Sequence, residues 1–226
     1  TDSIESGFYF LERNDTLYST ERPYTFKFPP SNGFPMSNLK HDKVNGIRID
    51  NVRGREDEFQ IEKQGFTVLK IDNELQYKDS INESDPEVMA YLKKMEGVLK
   101  EHLKASRVQV FHGTVYQFDQ PTTAVHIRRQ FGDEADALLR KRYQWINFWK
   151  PLRGPVNDWP LVLCDSSLVD PRRDLEIADL LYPNLATENS YMYYRPGLKW
   201  YFLSDHSPDE VLVFKQMDSL KGACPG

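Results

Sequence analysis

The sequence predicts a mainly β protein of the α+β class, folded as a sandwich or barrel. Three observations carry that expectation. Short apolar and aromatic runs are punctuated by 12 glycines and 14 prolines, the pattern of many strands joined by turns. Helical periodicity is confined mostly to one region, so strands and helices do not alternate as a parallel α/β fold requires. A length of 226 residues suits one large domain or two small ones, and one sandwich or barrel can fill it alone.

Taken in order, Tyr24–Phe28 alternates aromatic and polar residues until Pro29 and Pro30 stop it. Val44–Ile49, Phe59–Ile61 and Phe66–Ile71 are further strand candidates. Residues 1–84 thus form a β-rich N-terminal arm. A covering helix follows over residues 85–105, with Asp85 as N-cap and Pro86 at the first helical position. Val88, Tyr91, Leu92, Met95, Val98, Leu99 and Leu103 recur at helical spacing. A shorter helix is expected over Asp133–Lys141. The core of residues 106–226 holds the remaining strand candidates: Val108–Phe111, Thr114–Phe118, Tyr143–Trp149, Leu161–Cys164, Ser190–Tyr194, Lys199–Leu203 and Val211–Phe214. The whole reads as a single domain with aromatic residues on inward faces, which suits enclosure of a small ligand.

Composition excludes some partners. With 29 basic and 34 acidic side chains the formal charge is −5, which gives no footprint for nucleic acid or an anionic membrane. No apolar run nears the roughly 20 residues of a membrane span, and Thr1–Glu5 lacks the basic and apolar start of a signal peptide. Two cysteines, Cys164 and Cys224, make no disulfide framework and read as reduced thiols of a cytoplasmic protein.

Standard catalytic devices are absent from the sequence: no phosphate loop, no Gly-x-Ser-x-Gly, no Cys-x-x-Cys, no His-Glu-x-x-His. Cys164 reads as a strand thiol. A two-histidine-one-carboxylate iron site needs His-x-Asp or His-x-Glu on a strand, where alternate residues share a face. The residues two positions after the five histidines are Lys43, Lys104, Thr114, Arg128 and Pro208, so no such motif is present. His126, after Thr122–Val125 at the expected end of a strand, is either a ligand or a loop-edge histidine. His112 is equally ambiguous, and His206 reads as a turn residue. On the strand around Asn147, alternation puts Arg142, Gln144, Ile146 and Phe148 on one face and Tyr143, Trp145, Asn147 and Trp149 on the other. Asn147 between two tryptophans either orients a ligand or is one satisfied amide of a core strand. Lys215 either binds a carboxylate or reaches solvent.

The stretch Asn147-Phe148-Trp149-Lys150-Pro151-Leu152, with Asp158-Trp159-Pro160-Leu161 and Cys164-Asp165, resembles the core motif of the AsaB/CmcJ-like hydroxylases and desaturases of fungal secondary metabolism. Trp200-Tyr201-Phe202, Pro208–Lys215 and Asp218-Ser219 also match, as do Arg53-Gly54 and Gln64-Gly65-Phe66, so the resemblance spans the chain. It implies a double-stranded β-helix (jelly roll, cupin-like) with Fe(II) and 2-oxoglutarate as cofactors and a small natural-product intermediate as substrate. The implied reaction is hydroxylation, desaturation or oxidative cyclisation. His126 is the implied iron ligand, Arg142 and Asn147 are the implied cofactor contacts, and Trp149 and Trp200 the implied pocket walls. The sequence departs from the family where it matters most. His126-Ile127 runs straight into Arg128-Arg129, without the expected Asp and about ten residues around it, and the chain stops at Gly226 before the last strands and a distal histidine. The resemblance implies that a loop and tail carrying those ligands belong with this sequence. The alternative is a metal-free isomerase or cyclase on the same scaffold; a third reading is a non-catalytic binding protein.

Overall fold

The computed structural model describes residues 2–31, 33–72, 75, 85–110 and 120–220, with backbone alone at 120–122. Within them the chain runs β1 (Ser3–Leu11), α1 (Asp15–Thr20), β2 (Tyr24–Phe26), β3 (His41–Asn51), β4 (Phe66–Lys70), α2 (Pro86–His102), α3 (Gln120–Phe131) and α4 (Ala135–Leu139). It continues through β5 (Gln144–Trp149), β6 (Val162–Cys164), α5 (Pro171–Asp174), β7 (Leu175–Tyr182), β8 (Leu185–Met192), β9 (Trp200–Phe202) and β10 (Glu210–Asp218).

The strands form three sheets, ordered β1-β3-β9-β6, β4-β10-β5 and β2-β7-β8. The first two face each other. Val52, Phe59, Phe66, Tyr201 and Leu203 make the apolar layer between them, with Val68, Leu163 and Phe214 packed against it. The outer face of β4-β10-β5 is covered by α2: Leu99 joins Ile61, Val211 and Val213, and Ile146 and Phe148 pack on that cluster. This is the covering helix the spacing predicts. The Asp85 carboxylate accepts from the Glu87 N–H at 3.0 Å, and Val88, Tyr91, Met95 and Leu99 form the buried face.

Several elements differ from expectation. Phe59–Ile61 is no strand; a 3-10 turn at Glu56–Glu58 precedes it, and Phe59 and Ile61 feed two different core clusters, which mimics alternation. His126 stands on a helix, α3, not at a strand end. Thr123 and Ile127, four apart, are its buried positions, so tertiary packing of one helical face overrides the β-branched Thr122-Thr123 and Val125. The expected second helix shortens to α4 after a 3-10 turn. β1, α1 and β7 were not expected. Residues 108–110 form no strand, while Phe111, Thr114–Phe118, His112 and Cys224 lie outside the described residues.

Candidate functional site: the inner face of β5

Strand β5 lies against the middle strand β10, with Leu212 opposite Trp149, Phe214 opposite Asn147 and Lys215 opposite Ile146. Phe214 belongs to the layer between the sheets, so Trp145, Asn147 and Trp149 face inward while Ile146 and Phe148 face α2. The alternation expected for this strand holds. All three inner side chains are half-buried, in contrast to Phe66 and Leu212 on the same face, which are fully buried.

Each of the three has a partner. The His126 ring, carried by α3, lies 6.0 Å from that of Trp145 at 61°. Asn147 Nδ2 donates to Gln216 Oε1 at 2.9 Å. The Trp149 ring sits 5.2 Å from that of His206. His206 is no exposed turn residue: it is 2% exposed, and its Nε2–H donates to the Glu210 carbonyl at 3.0 Å. Burial pushes its pKa down, against the backbone bond and the Glu210 and Asp209 charges, which favour the cation. The loop carrying it is pinned by Glu210, whose carboxylate takes hydrogen bonds from Arg53 and from Ser207 N and Oγ at 3.0 Å. Burial alone would raise this carboxyl, but those donors outweigh it and hold its pKa at about 2. Val156 N also bonds the His206 carbonyl, at 2.9 Å. Gly154 is required there, because a Cβ would come within 2.9 Å of Pro208 Cδ.

Two expected site residues are not brought to this wall. Trp200 alternates with Tyr201 and so stands on the opposite face of its sheet, against Phe8 and Phe10. Arg142 joins the outer-face cluster, where its guanidinium binds Asp218 and, at 2.7 Å, Glu62. Lys215 and Gln144 complete that cluster through Asp218 Oδ2 at 3.0 and 2.9 Å. The Arg142 charge is therefore shared between two carboxylates. Sequence reasoning missed His206, whose polar neighbours read as a turn, and Gln216.

An iron site of two histidines and a carboxylate is not complete here. Among the described residues no three His, Cys, Asp or Glu side chains stand together to hold a metal ion. His126 is the one histidine among them on α3 beside the inner wall, and Arg128 two positions on cannot ligate.

A family model described as "YDMC: Oxidoreductase/YMDC permease-like domain" matches residues 8–224. The Fe(II)/2-oxoglutarate-dependent dioxygenase nvfI of Aspergillus novofumigatus is 26% identical over 194 residues, covering 76% of this chain and 70% of the relative. The hydroxylase/desaturase efuI of Hormonema carpetanum is 25% identical over 236 residues, covering 81% and 78%. A solved structure of the iron and alpha-ketoglutarate-dependent endoperoxidase NvfI has the same fold: TM-score 0.79, 21% identity, 99% of this chain and 87% of that one.

Proposed function

The chain belongs to the YDMC oxidoreductase family, and from that premise we propose that it is an Fe(II)/2-oxoglutarate-dependent oxygenase. It hydroxylates, desaturates or oxidatively cyclises a small natural-product intermediate, on a double-stranded β-helix spanning 1–226 as one domain. The match to iron- and 2-oxoglutarate-dependent relatives along most of the chain is the observation that carries this reading. His126 is the metal ligand it assigns. Asn147 and Trp149, with Trp145, wall the ligand site, and no step of the reaction is routed through Arg142 or Trp200. The remaining iron ligands and the 2-oxoglutarate anchor come from residues other than the described ones. The cysteine count supports a cytoplasmic setting; among the described residues no helix is long and apolar enough to cross a membrane.

Anaerobic Fe(II) titration of the full gene product, followed by succinate assay with 2-oxoglutarate and oxygen, tests the proposal. Saturable iron binding that weakens in His126→Ala, with succinate release, is expected. No iron binding and no succinate would overturn it.

A further inference from the structure

Strand β10 carries a bulge. Lys215 opposes Ile146 and Met217 opposes Trp145, so Gln216 is an extra residue without a place in the register. Strict alternation would set Gln216 opposite Trp145. The bulge gives that place to Met217 and leaves Gln216 as an added inner-face side chain beside Asn147. Bulges recur where a sheet must re-aim a side chain at a site.

The resulting pair is chemically specific. Asn147 Nδ2 donates one proton to Gln216 Oε1. That bond leaves Asn147 Oδ1 as an acceptor and Gln216 Nε2 as a double donor. The two amides thus present an acceptor and donors side by side, with Trp145 and Trp149 two residues away on either side. Beside the pair the setting is uncharged: the one ionisable inner-face side chain of β5 or β10, Glu210 at the far end of β10, is taken up by Arg53 and Ser207, while Arg142 and Lys215 are turned outward onto Glu62 and Asp218. A carboxylate moved here from water would find no unpaired cation among the described side chains of β5 and β10, and an unpaired ion is costly to desolvate. A neutral planar group that both donates and accepts fits instead.

We propose that the Asn147–Gln216 amide pair is a recognition subsite for a neutral, planar lactam- or amide-like group of the substrate, and not for a carboxylate of 2-oxoglutarate. This rests on the ligand site of the proposed function and names the chemistry that site reads. Gln216 is its specificity-determining residue.

The test uses 2-pyridone, N-methyl-2-pyridone and benzoate as probes, read by tryptophan fluorescence and side-chain amide NMR on metal-free protein, with no turnover required. Expected is saturable 2-pyridone binding that shifts the Asn147 and Gln216 amide resonances, and binding of the other two weaker by about fivefold or more, since a hydrogen-bonding site rejects analogues lacking its partner. Gln216→Leu should erase that preference, and Gln216→Asn, a milder change, should reduce it. Equal binding of N-methyl-2-pyridone, stronger binding of benzoate, or no amide shift in the wild type would overturn the subsite. Because succinate release is measured separately, failure of the oxygenase reading and failure of the subsite give different results.

Discussion

The two faces of β5 and β10 are built from alternate residues of the same two strands, yet they behave oppositely. On the outer face Ile146 and Phe148 pack under α2, and the charges at its edge are answered. The Asp218 side chain is fully buried and the Lys215 side chain 5% exposed, 3.0 Å apart, with Arg142, Gln144 and Glu62 around them. On the inner face Asn147 and Gln216 answer each other once and keep capacity to spare. The outer face holds the sheet together; the inner face is the one to which we assign the reading of a ligand. The bulge divides them, since it sends Asp218 outward and Met217 inward.

The largest test of that division is Asp218→Ala. It leaves a buried ammonium whose other carboxylate, Glu62, is 3.5 Å away and half-exposed. Removing one partner of a buried pair costs about 3–5 kcal/mol, read as a lowered urea midpoint. Replacing both, as Lys215→Met with Asp218→Leu, should restore much of it. A loss below about 1 kcal/mol for Asp218→Ala, the range of exposed pairs, would show that the outer face is not closed.

Next is the acid response of the loop behind Trp149. Glu210 has a pKa of about 2 when folded against an ordinary 4.5. The unfolded chain therefore binds the proton first as pH falls. The stabilisation is complete above about pH 4.5 and lost towards pH 2, up to about 3 kcal/mol in all. Glu210→Gln should flatten the stability profile across that window, and an unchanged profile would remove Glu210 from the support of the inner wall.

His206 gives a smaller effect at milder pH. Its folded pKa is depressed, chiefly by burial, so the unfolded state takes up the proton first. Stability is full above the ordinary value of 6.5 and declines as pH drops through the window beneath it. The charged groups facing the ring are Arg53, which disfavours the cation, and Glu210 and Asp209, which favour it. Melting temperature should fall between pH 7.5 and 5.5, with a change in Trp149 emission, and His206→Gln should remove both.

These devices were unequally legible in the sequence. α2 and the two faces of β5 could be read directly, because Asp85-Pro86 caps a clear 3.6 period and alternation runs unbroken from Gln144 to Trp149. The bulge could not, because an extra residue shows only when β10 is laid against β5. Nor could the partners of Arg142 and Arg53, which lie 76 and 157 positions away in Asp218 and Glu210. The motif resemblance implies a pocket role for Trp200, but which face it takes depends on how β9 joins its sheet. His126 stands out among five histidines and becomes a ligand only through the resemblance, while the helix beneath it opposes local propensity.

The finest test separates the faces at Arg142 itself. Its side chain is 39% exposed, and hydrogen bonds from its guanidinium to Asp218 and then Glu62 raise its pKa further. In Arg142→Gln, the buried Asp218 keeps Lys215 and Gln144 and only the solvent-screened end of the pair is lost, so the loss should be about 1 kcal/mol or less. Affinity for 2-oxoglutarate, measured by calorimetry with Fe(II) present, should stay within about twofold, because no outer-face contact is remade on binding. A tenfold loss of 2-oxoglutarate affinity with stability intact would mean that the guanidinium leaves its carboxylates to serve the ligand. The outer face would then not be purely structural, and the bulge would not be the boundary between holding and reading.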